Sequence, residues 1–119
     1  MAITSNKENG SIKLSNEVIA KVGGIAATSC YGVVGMAVKT VKDGIVHLLK
    51  KESLSKGVEV SISDNDEISI KLHIIVEYGT SIPAIGEIVS STVKYSVEKM
   101  LDIQCDNISV IVEGIRVNN

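Results

Sequence analysis

The side chains in this sequence that could carry chemistry are few and dispersed. The histidines are His47 and His73 alone, and no serine sits in a G-x-S-x-G context, so no nucleophile has a general base and an orienting group at recognisable spacing. His73 occupies an outward position on an alternating strand and reads as a solvent-facing residue; His47 belongs to a basic segment. A zinc site needs ligands in close pairs, whereas Cys30, Cys105, His47 and His73 are scattered along the chain. The two cysteines form no CxxC pattern and are expected to be reduced, buried thiols. Gly23, Gly24, Gly32 and Gly35 do not follow a strand with the spacing of a phosphate-cradling loop. Gly32-Val33-Val34-Gly35 matches the backbone-clamping loop of KH domains but offers two valines where basic side chains are needed, so a helix stop followed by a strand start is the better reading. Asp64, Asp66 and Glu67 lack the twelve-residue loop of a calcium site and read as a hairpin turn. The expectation is no catalytic residue, no metal ligand, no cofactor and no enzymatic activity.

What remains is surface. Between residues 39 and 56 five lysines, Lys39, Lys42, Lys50, Lys51 and Lys56, face only Asp43 and Glu52, with Val41, Ile45, Leu48 and Leu49 between them at helical spacing. This reads as a short amphipathic helix lying against its own domain, and its lysines as a candidate contact surface. Ile75 and Ile111 form a second candidate, because alternation places both on the sheet face away from the helices.

The elements that would position these residues follow from periodicity. Residues 1–9 show none and are read as a flexible tail, leaving residues 10–119 as one α+β domain. Ser11-Ile12-Lys13-Leu14 alternates as a strand, and Ser15 caps a helix over about 16–31, where Gly23-Gly24 calls for a close helix contact. Val33 to Val38 starts an extended segment. Val58, Val60 and Ile62 alternate up to the turn Ser63-Asp64-Asn65-Asp66, and alternation resumes along 67–78, making a hairpin. Ser81 and Pro83 open a helix over 82–101, and a last strand over 107–117 changes phase at Gly114 as a β-bulge would. A helix joining the strands at 67–78 and 107–117 makes them parallel neighbours. The predicted fold is a mixed sheet of three to five strands with two long helices on one face, in the order β-α-β-(α)-β-β-α-β.

Composition narrows the classes further. The chain has 119 residues, enough for one core, and its 45% hydrophobic content is that of a globular protein. It has no Trp, no Phe and three Tyr, so burial must come from aliphatic residues and base-stacking platforms are scarce. Its net charge of -2 disfavours nucleic acid as a partner. No apolar run exceeds three residues, far short of the roughly 20 a membrane helix needs. The first ten residues hold no apolar stretch of the secretory kind, which places the expectation in the cytoplasm.

The order of motifs resembles the bacterial alkaline-shock-protein family of envelope stress proteins, including its short YloU-like members. The resemblance runs over nearly the whole chain. It is carried by Gly10-Ser11-Ile12-Lys13-Leu14-Ser15, Gly32-Val33-Val34-Gly35-Met36, Gly57-Val58-Glu59-Val60, Val76-Glu77-Tyr78-Gly79 with Ile82-Pro83, and Ile108 to Ile115. It implies a non-enzymatic cytoplasmic protein of cell-envelope homeostasis that self-associates or binds a membrane-anchored partner, and so sits at the inner face of the cell membrane. It implies as an alternative an accessory partner of a dihydroxyacetone- or fatty-acid-kinase-like protein.

Overall fold

The structure is a computed structural model that describes residues 2–7, 10–39, 46–49 and 51–117. Two helices dominate it. In α1, Asn16–Thr28, Ser15 supplies the N-cap, its hydroxyl accepting from the Val18 N–H at 3.2 Å. In α2, Ile82–Leu101, Ser81 does the same for Ala84, Pro83 fits the first turn, where no intrahelical N–H bond is lost, and Asp102 closes the far end in the left-handed conformation. Helix α1 ends before residue 31. Gly32 follows it at φ +89°, where a Cβ would come within 2.7 Å of the Ile85 side chain, so only glycine fits this turn.

The main sheet is built around β6, Ile68–Glu77. Along one edge β7, Asn107–Arg116, runs parallel to it from Ser69↔Asn107 to Glu77↔Arg116. The other edge is shared. There β3, Val33–Lys39, pairs antiparallel with the end of β6 (Val33↔Val76, Met36↔Ile74), and β5, Val58–Ile62, pairs antiparallel with its start (Val58↔Leu72, Ile62↔Ile68). After Met36, β3 leaves β6 and pairs with β4, Val46–Leu48. Gly57 lets the two strands meet end to end, since a Cβ there would lie 3.0 Å from the Ala37 carbonyl oxygen and the Met36 Cβ. The fold is therefore α+β with a mixed five-stranded sheet, and the parallel β6–β7 pair joined through α2 is the crossover the sequence predicts. The register of β7 shifts between Val112 and Gly114, as the change of hydrophobic phase requires.

One face of β6 meets both helices. Ile68, Ile70, Leu72, Ile74 and Val76 pack against Ile19, Ala26 and Ala27 of α1 and Ile85, Val89, Val93 and Val97 of α2. Each buried Val, Leu or Ile contributes about 2 kcal/mol. Among the described residues no polar or charged residue is buried.

Three expectations change. Ala2–Lys7, read as tail, is strand β1, paired antiparallel with β2, Gly10–Ser15, in a separate two-stranded sheet. The amphipathic helix over 39–56 is not formed where the segment is described: β3 ends at Lys39, β4 follows, and Lys51–Gly57 is a 3₁₀ turn. Where it is described, Val46–Leu48 pairs antiparallel with Ala37–Lys39, and this strand pairing replaces the helical spacing of the apolar residues. Lastly, Ile75 does lie on the face away from the helices, yet it is only 3% exposed. Gly35 and Gly114 flank it in the register, and Leu48 folds over Gly35 with its side chain 2.8 Å from where a Cβ would stand, so small neighbours let the strand surroundings close around the isoleucine.

Candidate interaction surfaces

On the open face of the sheet, Glu59 of β5, His73 of β6 and Glu113 of β7 form a diagonal row, since Glu59 is registered with Lys71 and His73 with Ile111. His73 Nε2 lies 2.6 Å from Glu59 Oε2 and its Nδ1 lies 3.4 Å from Glu113 Oε1. Each ring nitrogen thus faces a carboxylate oxygen. The hydrogen bond from His73 holds the Glu59 carboxyl below its ordinary value of 4.5; partial burial opposes this, and the charges of His73 and Lys71 add to it. The row borders a notch of 320 Å³, lined by Ala37, Val38, Lys56, Glu59, His73 and Glu113, at the point where β3 turns away from β6. His73 is therefore half-buried and tethered across three strands, not solvent-facing. Only the pairing register could reveal this, because Glu59 and Glu113 are remote from it in sequence.

The cysteines are both free and buried. Burial pushes the Cys105 thiol up to about 11, reinforced by the nearby Glu98 and Asp106 carboxylates and weakened by Lys94. At neutral pH it is a protonated, poorly nucleophilic group. Glu98 accepts from the Cys105 N–H at 2.9 Å and Asp106 accepts from the Ile68 N–H at 2.8 Å, fixing the loop that leads into β7. Among the described residues no group of three or more His, Cys, Asp and Glu could hold a metal ion.

Beside this loop runs an open groove of 580 Å³ between α2 and β7, lined by Gly86, Glu87, Ser90, Ser91, Lys94, Cys105, Asp106, Ile108 and Val110. The sequence gives no warning of it, since it needs α2 to leave part of the inner face of β7 uncovered. At one end of the sheet, the Gly32 carbonyl accepts from the Glu77 N–H and the Arg116 carbonyl from the Tyr78 N–H, drawing the turns at Tyr31 and Tyr78 and the end of β7 together. Ile115 and Val117 are exposed there as well. Tyr31, Tyr78 and Tyr95 are 84%, 70% and 66% exposed, so every aromatic residue of the chain is at the surface.

Of the sequence-derived surface residues, Lys42 and Lys50 lie outside the described residues. Lys39 ends β3 and Lys51 begins the 3₁₀ turn, Ile111 is half-buried opposite His73, and Ile75 is enclosed.

The structure thus defines a small α+β domain whose described core is aliphatic apart from Cys30, Met36 and Cys105, with its three tyrosines at the surface. Comparison of the sequence with known proteins makes the assignment specific. Residues 4–117 match the alkaline-shock-protein family, which has a cell envelope-related function, and the chain belongs to that family. It is 43% identical over 120 residues to the uncharacterized protein YloU of Bacillus subtilis (strain 168), covering 100% of this chain and 99% of YloU. It is 38% identical over 118 residues to the uncharacterized protein Spy1614 of Streptococcus pyogenes serotype M6, covering 98% and 97%. It is 27% identical over 110 residues to a stress response regulator gls24 homolog of Streptococcus pyogenes serotype M3, covering 90% of this chain and 59% of that protein. No solved structure matches significantly. The resemblance drawn from the order of motifs, short YloU-like members included, is thereby established. Among the described residues no helix is long and apolar enough to cross a membrane.

Proposed function

We propose that the chain is a non-enzymatic protein-interaction module of cell-envelope stress response and homeostasis, acting by self-association and by binding a membrane-anchored partner protein. The observation that carries this reading is the placement of its aromatic residues. A chain with three Tyr and no Phe or Trp would ordinarily place some of them in its core, yet all three are exposed, two of them beside exposed aliphatics at one end of the sheet. Tyrosine combines large apolar area with few rotatable bonds and a polar tip, which suits it to protein contacts. The chemistry of the titratable groups agrees: His73 is engaged by two carboxylates and the Cys105 thiol is held protonated. The envelope and stress assignments rest on the family and on the gls24-type relative.

The test is mild cross-linking of the tagged chain in its native cell, followed by separate recovery from membrane and soluble fractions and mass spectrometry. Cross-links of the chain to itself and to a membrane protein are expected. Recovery of salt-sensitive nucleic acid, or of the uncross-linked monomer alone, would overturn the reading.

A further inference from the structure

We propose that two copies of this chain associate about a two-fold axis that joins their β7 edges antiparallel and brings their α2 helices together over the seam. The proposal rests on the self-association part of the function above and assigns it a surface.

The sheet edges differ in how they are closed. Strand β4 has three residues, and the outer side of β5 is met by α1, with the Asn16 side-chain amide donating to the Val60 carbonyl at 3.3 Å. Strand β7 has ten residues, and among the described residues nothing pairs with its outer edge. Over 107–112 it reads Asn-Ile-Ser-Val-Ile-Val, without charge, proline, glycine or bulge, and so lacks the usual devices that stop an edge from acquiring a further strand. The groove between α2 and β7 continues this edge on the helix side, and a strand added there would help to fill it.

The occupant is a second copy because α2 is self-complementary where it borders the groove. Ser90 and Ser91 are small enough for two helices to approach closely. About a centre between them, Glu87 of one copy falls opposite Lys94 of the other, twice over. Within the chain neither Glu87 nor Lys94 has an ion-pair partner among the described residues. Gly86, with no heavy atom within 4 Å of where a Cβ would stand, lies level with the exposed Tyr95 of the other copy. A two-fold axis normal to the sheet makes the β7 strands and the α2 helices antiparallel at once and keeps all helices on one side. The apolar face of β7 in each copy then extends that of the other.

The test is sedimentation velocity of the full chain across a concentration series, with Glu87→Lys and Lys94→Glu as single variants and as a mixture. The parent is expected to dimerise, and each variant alone to dimerise about tenfold or more weakly, because both cross-axis pairs become repulsive. The equimolar mixture is expected to recover dimerisation as a heterodimer, since opposite charges again face each other at both pairs. Recovery also shows that neither variant is misfolded. If the parent self-associates while both variants do so equally well, or the mixture fails to recover, this surface is wrong and self-association by another route stands. If the parent stays monomeric at every concentration, self-association itself falls with the proposal.

Discussion

Between two carboxylates, His73 ties β5, β6 and β7 together on the open face of the sheet, and the consequence is a defined acid response. Because the Glu59 carboxyl is held below 4.5 in the folded chain, its contribution to stability is complete above that value and is lost as pH falls through the lowered one. Urea unfolding midpoints should therefore drop more steeply for the parent than for Glu59→Gln between ~pH 5 and ~pH 3. Cys105 has the opposite sign. Its thiol is raised from 9.0 to about 11, so its contribution is intact below 9.0 and is lost as pH climbs toward 11. Cys105→Val should flatten that alkaline loss relative to the parent. At pH 8 the shift alone should slow alkylation of Cys105 by about a hundredfold relative to an ordinary thiol, and burial should slow it further, as read by mass spectrometry of the intact chain.

Among the elements, α1 shows how two adjacent glycines can differ. A Cβ on Gly23 would meet Val58, Val93 and Leu72 at 3.7 Å or more, ordinary contact distances, so Gly23→Ala should raise stability by about 0.5–1 kcal/mol through helix propensity. A Cβ on Gly24 would press on the Leu54 backbone at 3.3 Å, so Gly24→Ala should show no such gain, and thermal unfolding of the two variants separates them. The sequence marks the pair as a site of close approach; the tertiary contacts show that Gly24 carries it. The open sheet face is similarly uneven. Ile75→Lys buries an unpaired charge and should cost about 3 kcal/mol or more, whereas Ile111→Lys, at a half-buried site, should cost about 1 kcal/mol. Equal and small losses in urea denaturation would mean that Ile75 is not enclosed.

For the whole molecule, the decisive asymmetry lies between the covered and uncovered sides of the sheet. Helices α1 and α2 bury the inner face of β6 fully but leave a groove along β7, whose ten-residue outer edge is unpaired among the described residues. If that edge pairs between copies, the outward amides of 107–112 should exchange with solvent rapidly in dilute solution and become protected as concentration rises. The β6 amides that bond within the sheet should be unaffected. Hydrogen exchange with residue resolution separates these two populations, and concentration-independent exchange along β7 would count against the paired edge.

The aliphatic composition, the strict alternation over 67–78, the Ser and Pro signals around 81–83 and the phase change at Gly114 determined the sheet, the long helix, the parallel crossover and the bulge, because each depends on spacing within one segment. They also determined the family, whose motifs lie along the chain in order. The rest depended on which strand lies beside which. Glu59 and Glu113 reach His73 only through the register of β5 and β7 on β6. Ile75 is enclosed only because Gly35 and Gly114 are its lateral neighbours, and residues 46–48, which fall in a stretch with apolar residues at helical spacing, instead pair as a strand with β3. Alternation states which face a side chain takes, but burial and partnership on that face are set by neighbours distant in sequence, and those only the tertiary structure supplies.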